Sequence, residues 1–233
     1  ENSEIRLSDQ FFSWGWTKVG ANITPLSPAM PSLPRRAHRN QILLQTWDLP
    51  RVPYKLQYCP MPGGIETMNL ETEDFLRYLP ESLNLMIRPF PIDYGWGAVD
   101  GMQAAAPHAK FANSSVSQFK LYQRSSLVVL SYLGSSWLET LGMNVPTICF
   151  YDPRIYIFRE EFNVFIEALL RVGILHHTGK AAANFVKCLG DDVEGWWNKY
   201  EVQEACNVFR SKYANFSLEW AKQWECEFGK LID

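Results

Sequence analysis

The chain has 233 residues, of which 47% are hydrophobic and 20% charged, and its formal net charge is −3 at pH 7. This composition is typical of one large globular domain or two small ones, and the absence of a global basic field argues against nucleic acid as a partner. No apolar run approaches the roughly 20 residues that cross a bilayer, so we expect a soluble or at most peripheral protein.

The first 40 residues predict an extended arm that leads into the main domain. Aromatic residues surround Gly15, and four prolines between 25 and 34 precede a basic group at 35–39. A proline-rich, basic stretch of this kind is either an exposed arm with solvated charges or a loop that contacts phosphate. Both interpretations stay open from the sequence.

Residues 41–124 predict two strands, each followed by a helix. The segment 41–47 is the first apolar strand, and Asp48 and Pro50 follow it in a loop. A second strand is predicted at 83–88, after a helix at 71–79 that Pro80 ends. We expect the small residues at 97–107 to form a surface loop and residues 114–124 to form a helix.

The stretch from 127 to 150 predicts a buried strand, a tight turn, a short helix and a second buried strand. Gly134 permits a sharp turn between the strand at 127–133 and the helix. Ser135 or Ser136 would cap the helix, and Asn144 would help to end it before a strand at 145–150. A helix that starts at the carboxyl end of a parallel strand points its free N–H groups at the crevice where such sheets bind ligands.

Beyond this stretch, the sequence predicts a short strand and four helices. They are a helix at 159–172, a strand at 174–177, a helix capped by Thr178, and helices at 193–213 and 217–232. Strands that alternate with helices indicate a Rossmann-like α/β fold with a parallel sheet. We divide the chain into an arm at 1–40, a Rossmann-like core at 41–190 and C-terminal helices at 191–233 that pack on the core.

Several binding motifs are absent. The chain lacks the G-x-G-x-x-G and Walker A sequences, so dinucleotide oxidoreductases and P-loop kinases have no support. The five cysteines are widely spaced without a C-x-x-C pair, which argues against a zinc site and fits a reducing compartment. His176 and His177 are adjacent on a predicted strand, so they point to opposite faces and form a poor metal clamp. We expect His176 to be a packed, hydrogen-bonded residue.

Four ordered sequence motifs resemble a family of bacterial transferases of surface-carbohydrate biosynthesis. They are FSWGW at 12–16, ILLQTWDLPRVPY at 42–54, IRPFPIDYGW at 87–96 and GSSWLETLGMNVPT at 134–147. The resemblance implies glycosyltransferase-B architecture, in which two Rossmann-like lobes face each other. Because family members are about twice this length, it implies that this chain is the C-terminal, donor-binding half and that an N-terminal lobe is missing.

The resemblance also implies roles for the helix that follows the turn. A departing diphosphate needs N–H groups, hydroxyls or cations, and Gly134, Ser135 and Ser136 are the candidates. Glu139 would accept hydrogen bonds from the ribose hydroxyls, as a glutamate does in similar folds. The structural alternatives are simple N-capping by the serines and a capping box between Ser136 and Glu139.

Further site candidates lie at the ends of the first two strands. Arg88 would neutralise phosphate, unless it forms a salt bridge with Asp93 or Asp152. Thr46 and Trp47 would touch the phosphate and the base, although a packed tryptophan is equally expected. Asp93 is the one catalytic candidate; its alternative is a turn-forming aspartate.

Two arginines that follow the second buried strand of the turn motif could line the same crevice. They are Arg154 and Arg159. A solvated helix start is the alternative for both.

The sequence thus predicts a glycosyltransferase lobe that binds a nucleotide-sugar donor for a glycan or lipid-linked acceptor. The expected enzyme is metal-independent, with which the absence of an Asp-x-Asp motif agrees, and we expect no cofactor beyond the nucleotide sugar. We expect a cytoplasmic protein, with peripheral association at the inner face of the membrane as a variant. Two other functions stay open: a polyol-phosphate transferase with a CDP-linked donor, and a non-catalytic interaction domain.

Overall fold

A computed structural model describes residues 3–29, 40–52 and 61–232. No helix in these ranges is long and apolar enough to cross a membrane. The basic group at 35–39 lies outside the described residues.

The strands and helices alternate along most of the chain. The strands are β1 Phe11–Ser13, β2 Ile23–Pro25, β3 Gln41–Gln45, β4 Asn84–Arg88, β5 Lys110–Phe111, β6 Leu127–Leu130, β7 Thr147–Phe150 and β8 Leu175–His176. The helices are α1 Ser3–Leu7, α2 Pro62–Tyr78, α3 Ala98–Ala105, α4 Gln118–Arg124, α5 Ser135–Gly142, α6 Glu160–Arg171, α7 Gly179–Leu189, α8 Val193–Trp197, α9 Tyr200–Tyr213 and α10 Trp220–Ile232.

Six of the strands form one parallel sheet in the order β5–β4–β3–β6–β7–β8. The chain builds the sheet outward from β3 in one direction, then returns to the other side of β3 and continues with β6. This reversal leaves a crevice between β3 and β6 at their carboxyl ends, which is where open α/β sheets bind ligands. The predicted Rossmann-like parallel sheet flanked by helices is confirmed.

Burial explains why the central strands are almost continuously apolar. All four residues of β6 and all four of β7 are buried, because helices flank the sheet and the strands face no water. The ring of Phe75 on α2 stacks on Phe150 of β7 at 5.3 Å between centroids. On α5, Trp137 packs on Phe209 of α9 at 4.8 Å, which joins a C-terminal helix to the core.

Four sequence predictions of local structure are wrong. The helix predicted at 71–79 begins nine residues earlier, since α2 spans Pro62–Tyr78 and a proline is well suited to the first position of a helix. The segment predicted as a surface loop at 97–107 contains α3, because alanine is the best helix former and Met102 is buried. The single helix predicted at 193–213 is two helices, since Trp196 and Trp197 both turn into the core before α9 begins. The last helix begins at Trp220 rather than at 217.

The N-terminal residues pack against the end of the chain. β1 and β2 pair in parallel as a separate two-stranded sheet, so residues 3–29 are not a simple extended arm. The backbone N–H of Asn215 donates to the carbonyl of Trp14 at 2.9 Å, and the indole N–H of Trp224 donates to the carbonyl of Ser27 at 2.8 Å. The division into an arm, a core and C-terminal helices stays a prediction.

Candidate functional site

A cleft of about 550 Å³ opens at the carboxyl ends of β3, β4 and β6, next to the switch point of the sheet. Its lining combines predicted site residues with others that the sequence did not single out. The lining residues are Gln45, Thr46, Trp47, Arg88, Phe90, Pro91, Gln118, Tyr132, Leu133, Gly134, Ser135 and Ser136.

The helix α5 begins at this cleft without a side-chain cap. Its first residue is Ser135, the N-cap position is Gly134, and no side chain of the described residues accepts a hydrogen bond from the first turn. The predicted serine cap is therefore wrong. The N–H groups of a helix's first turn have no partner within the helix, so in α5 they are left for solvent or a ligand.

Ser136 does not cap the helix because its hydroxyl belongs to a buried polar network. The amide nitrogen of Gln45 donates to the hydroxyls of Tyr132 and Ser136, both at 3.0 Å. The hydroxyl of Tyr122 donates to the amide oxygen of Gln45 at 3.1 Å. The hydroxyls of Tyr132 and Ser136 lie 2.7 Å apart. Burial raises the pKa of both tyrosines, so they stay neutral hydrogen-bonding groups.

This network uses the whole hydrogen-bonding capacity of the Ser136 hydroxyl. A serine hydroxyl has one donor and two acceptor sites. Its partners are the Gln45 amide, the Tyr132 hydroxyl and the Tyr122 hydroxyl. The group that Ser136 can still offer to a ligand is therefore its backbone N–H.

Gly134 is required by a close approach and not by an unusual backbone angle. Its φ is −130°, which any residue can adopt. A Cβ atom added there would lie 2.8 Å from the ring of Tyr132, closer than van der Waals contact allows. The glycine thus lets the tyrosine ring reach Gln45 and Ser136 beneath the turn.

Glu139 lies one turn into α5, where it is half-buried and not among the residues that line the cleft, and two neutral donors hold it. The amide nitrogen of Gln118 donates to Oε2 of Glu139 at 2.9 Å, and the hydroxyl of Ser135 also hydrogen-bonds this carboxylate. Burial raises the pKa of Glu139, and the Ser135 hydrogen bond opposes that shift. The alternative of a capping box between Ser136 and Glu139 is not formed, because the Ser136 hydroxyl bonds Gln45 and Tyr132.

Arg88 ends β4 and lines the cleft without an acidic partner in the described part of the chain. Its Nε is buried and has no hydrogen-bond partner there. The two alternatives from the sequence are occupied elsewhere: Asp152 pairs with Arg154 at 2.6 Å, and Asp93 accepts from the N–H of Gly95 at 2.7 Å. The hydrogen bond from Arg154 lowers the pKa of Asp152. The guanidinium of Arg88 is therefore available to an anion.

Thr46 and Trp47 both line the cleft where β3 ends. The N–H of Thr46 donates to the carbonyl of Arg88 at 3.1 Å, which continues the pairing of β3 with β4 past the last strand residue. The ring of Trp47 stacks on Tyr132, with 6.0 Å between centroids and 26° between planes. Trp47 is thus both packed and cleft-facing, which combines the two roles that the sequence left open.

Asp93 lies in the exposed loop after β4 and is not among the lining residues. Its Oδ1 accepts from the N–H of Gly95, which is the turn-forming geometry of the alternative interpretation. A different carboxylate stabilises this loop: buried Asp48 accepts from the N–H groups of Leu49 and Tyr94. Burial raises the pKa of Asp48. The catalytic role of Asp93 stays a prediction.

The remaining charged candidates lie outside the cleft. His176 contacts the carbonyl oxygen of Gly173 through Nε2 at 3.0 Å, and burial lowers its pKa to about 4. The expectation of a packed, hydrogen-bonded histidine is confirmed. Arg154 is exposed beside Asp152, and Arg159 lies 3.9 Å from Glu161.

The sequence interpretation missed the residues that support the site. Gln45 is a polar residue that ends an otherwise apolar strand, and this pattern was a usable signal. Gln118 and Tyr132 give no such signal, because Gln118 bonds Glu139 on another helix and Tyr132 bonds Gln45, 87 residues away. Within the described ranges, no group of three or more histidine, cysteine, aspartate or glutamate side chains could hold a metal ion.

Comparisons with known proteins identify a family and a fold. The sequence model of the LIC12162 family transferases matches residues 1–228. The crystal structure of TarM is similar with 14% identity and a TM-score of 0.53, over 95% of this chain and 43% of TarM. This likeness is one of fold, the glycosyltransferase-B architecture. A search of curated proteins found no match.

Two further solved structures are more distant. The wall teichoic acid polymerase TagF has 11% identity and a TM-score of 0.43, over 86% of this chain and 43% of TagF. The UDP-GlcNAc 2-epimerase from Neisseria meningitidis has 12% identity and a TM-score of 0.40, over 75% of this chain and 43% of the epimerase. The chain thus spans less than half the length of each solved structure named here.

Proposed function

Because the chain belongs to the LIC12162 family of transferases, we propose that it forms the donor-binding lobe of a glycosyltransferase with glycosyltransferase-B architecture. The donor is a nucleotide sugar, and the acceptor is a glycan or lipid-linked glycan of a bacterial surface. A second lobe outside this chain completes the enzyme. A lipid-linked acceptor would bring the protein to the inner face of the cytoplasmic membrane.

One observation supports this proposal above the others. Two positively charged groups that lack a partner in the described residues line the same cleft. The N-terminus of α5 has no side-chain cap, and the Arg88 guanidinium has no acidic partner in the described residues. A helix N-terminus carries about half a positive charge, and arginine binds phosphate through paired donors. Together they fit the diphosphate of a nucleotide sugar.

The neighbouring residues fit the nucleoside. Glu139 offers carboxylate oxygens to the ribose hydroxyls, and Trp47 offers an aromatic surface at the end of β3 for the base. Thr46 lies beside Arg88, where its hydroxyl can contact phosphate. The proposed nucleoside contacts therefore continue the diphosphate site along the carboxyl edge of the sheet, from β6 to β3.

The chemistry requires stabilisation of a leaving group. Transfer breaks the bond between the anomeric carbon and a diphosphate oxygen, and negative charge develops on the departing nucleoside diphosphate. Arg88 and the N–H groups of α5 lie in the cleft before the reaction, so they can stabilise this charge as it develops. A base for the acceptor hydroxyl would come from the second lobe or from Asp93.

Calorimetric titration of the chain with UDP-, GDP-, CMP- and CDP-sugars tests the donor assignment. We expect one of them to bind, and we expect Arg88→Gln to weaken that binding about 30-fold, because one charge-assisted hydrogen-bond pair is lost. Arg154→Gln is the matched control, since Arg154 lies beside another strand end and outside the cleft. Absence of binding by every donor would contradict the proposal.

A polyol-phosphate transferase with a CDP-linked donor would use the same diphosphate contacts. It differs in the bond broken, because cleavage within the diphosphate releases CMP and leaves a phosphate on the acceptor. Mass analysis of the products of the full-length protein therefore separates the two reactions. A non-catalytic interaction domain predicts that no donor binds and that Arg88→Gln changes stability only.

A further inference from the structure

Glu139 is hydrogen-bonded across to α4 by an amide and not by a cation, and this determines which ligand groups it can still bind. Gln118 is the first residue of α4 and lines the cleft, and its amide nitrogen reaches Glu139 on α5 at 2.9 Å. No arginine or lysine in the described residues pairs with Glu139. The carboxylate is therefore held in place while its negative charge is left uncompensated.

The remaining hydrogen-bonding capacity of this pair matches a vicinal diol. A carboxylate has about four acceptor sites, and those of Glu139 receive two bonds, from Gln118 and Ser135. The Gln118 amide makes no other hydrogen bond among the described residues, so one N–H and the carbonyl oxygen remain. Two adjacent hydroxyls can thus donate to the carboxylate while the amide bonds either of them.

An arginine at position 118 would not serve this purpose. Its paired donors would occupy both oxygens of Glu139, and the resulting ion pair would leave little for a hydroxyl. A glutamine donates a single bond to one oxygen and adds no charge. The amide therefore orients the carboxylate without competing for it.

We propose that Gln118 is a positioning residue that orients Glu139 to bind the 2′- and 3′-hydroxyls of a ribonucleotide. This inference rests on the proposed function, which already places ribose at Glu139, and adds to it the residue that sets selectivity: with Gln118 in place, the pair discriminates against 2′-deoxyribose. The diphosphate site at Arg88 and the start of α5 contributes affinity but does not discriminate ribose from 2′-deoxyribose.

The first test measures discrimination. The tightest-binding nucleoside diphosphate among UDP, CDP and GDP is titrated against the chain beside its 2′-deoxy form and beside pyrophosphate. We expect the ribose form to bind about 10- to 100-fold more tightly than the deoxy form, the range for a hydrogen bond to a charged group. Gln118→Ala should reduce this ratio to within about threefold while pyrophosphate binding is unchanged.

A matched control excludes a general effect of losing a glutamine from a helix. Gln103→Ala removes a side chain of α3 that reaches the carbonyl of Pro107 at 3.5 Å and does not line the cleft. It should leave the ribose-to-deoxyribose ratio unchanged. The thermal midpoint of each variant shows that the protein is folded.

A second variant gives a pH signature that a merely structural residue would not produce. In Gln118→Glu two carboxyl groups face each other, so one of them holds a proton to higher pH. The protonated group can still donate to its neighbour, so ribose discrimination should persist at low pH and disappear as the pH rises. The titratable groups near Glu139 from other elements are Tyr122 and Tyr132, whose pKa values burial raises, so they stay neutral throughout.

The outcomes are distinguishable. If no nucleotide binds, the proposed function fails, and this inference fails with it. If nucleotides bind but Gln118→Ala keeps the wild-type ratio, only the role of Gln118 is overturned. A lost ratio in Gln118→Ala together with the predicted pH dependence of Gln118→Glu supports it.

Discussion

Two strand–helix junctions of the same sheet differ in how the N–H groups at the start of the helix are hydrogen-bonded. At the junction of β8 with α7, Thr178 accepts from the N–H of Ala181 at 3.1 Å, and Glu71 accepts from the N–H of Gly179 at 2.7 Å. At the junction of β6 with α5, no side chain in the described part of the chain caps the first turn. The protein thus satisfies one set of N–H groups internally and leaves the other to the cleft.

The difference lies in what surrounds each junction. The start of α7 packs on the backbone of α2, where an unpaired N–H group would be costly. The start of α5 lies in an open cleft beside Arg88. Neither of its serine hydroxyls caps the helix, because Ser135 bonds Glu139 and Ser136 is held by the buried network. An uncapped helix beside an unpaired arginine indicates a site for an anion more strongly than either feature alone.

The largest expected effect comes from filling the two glycine positions. A Cβ at Gly179 would lie 1.8 Å from the backbone oxygen of Glu71, whereas a Cβ at Gly134 would meet the movable ring of Tyr132 at 2.8 Å. We expect Gly179→Ala to lower the free energy of unfolding by about 3 kcal/mol and Gly134→Ala by about 1 kcal/mol. Urea denaturation measures both.

Equal losses of stability in the two variants would contradict this account of the junctions. Gly134→Ala should also weaken nucleotide binding, because displacement of Tyr132 disturbs the network that holds Ser136. Gly179→Ala should leave the affinity of the folded fraction unchanged.

Acid should destabilise the protein through His176, which ends β8. Its pKa is lowered to about 4 in the folded protein by burial, so between that value and its ordinary pKa near 6.5 the unfolded chain binds more protons. The free energy of unfolding therefore falls as the pH decreases through this window, by about 2 kcal/mol. His176→Gln should remove that part of the slope in urea denaturation at pH 7 and pH 4.5. Parallel pH profiles for the two proteins would contradict the assignment.

The smallest expected effects come from the first-turn hydroxyls. Thr178→Ala should lower the free energy of unfolding by about 1 kcal/mol, because it removes a helix cap, without changing nucleotide binding. Ser135→Ala should do the reverse: its stability stays within about 0.5 kcal/mol, since Ser135 is exposed and caps nothing, while ribonucleotide binding weakens a few-fold. Thermal denaturation and calorimetry on the same samples check both, and a stability loss confined to Ser135→Ala would reverse the assignment.

Much of the fold could be predicted from the sequence because its signals are local. The apolar runs of β3 and β6 indicate buried parallel strands, and Asn144 indicates the end of α5, where it adopts a left-handed φ of 54°. Predictions that depended on competition between local and tertiary effects were less successful. The alanine-rich α3 was predicted as a loop because small residues suit both states.

The order of buried strands and helices, and therefore the position of α5 at the carboxyl edge of a parallel sheet, follows from the sequence by itself. Periodicity and turn residues act over a few neighbouring positions, which a single sequence displays in full. The state of the α5 N-terminus was decided only by the tertiary structure. The Ser136 hydroxyl accepts a hydrogen bond from Gln45, 91 residues away, and does not cap α5. Glu139 accepts one from Gln118 on another helix. A side chain's hydrogen-bonding capacity is limited, and only the folded chain determines which partner receives it.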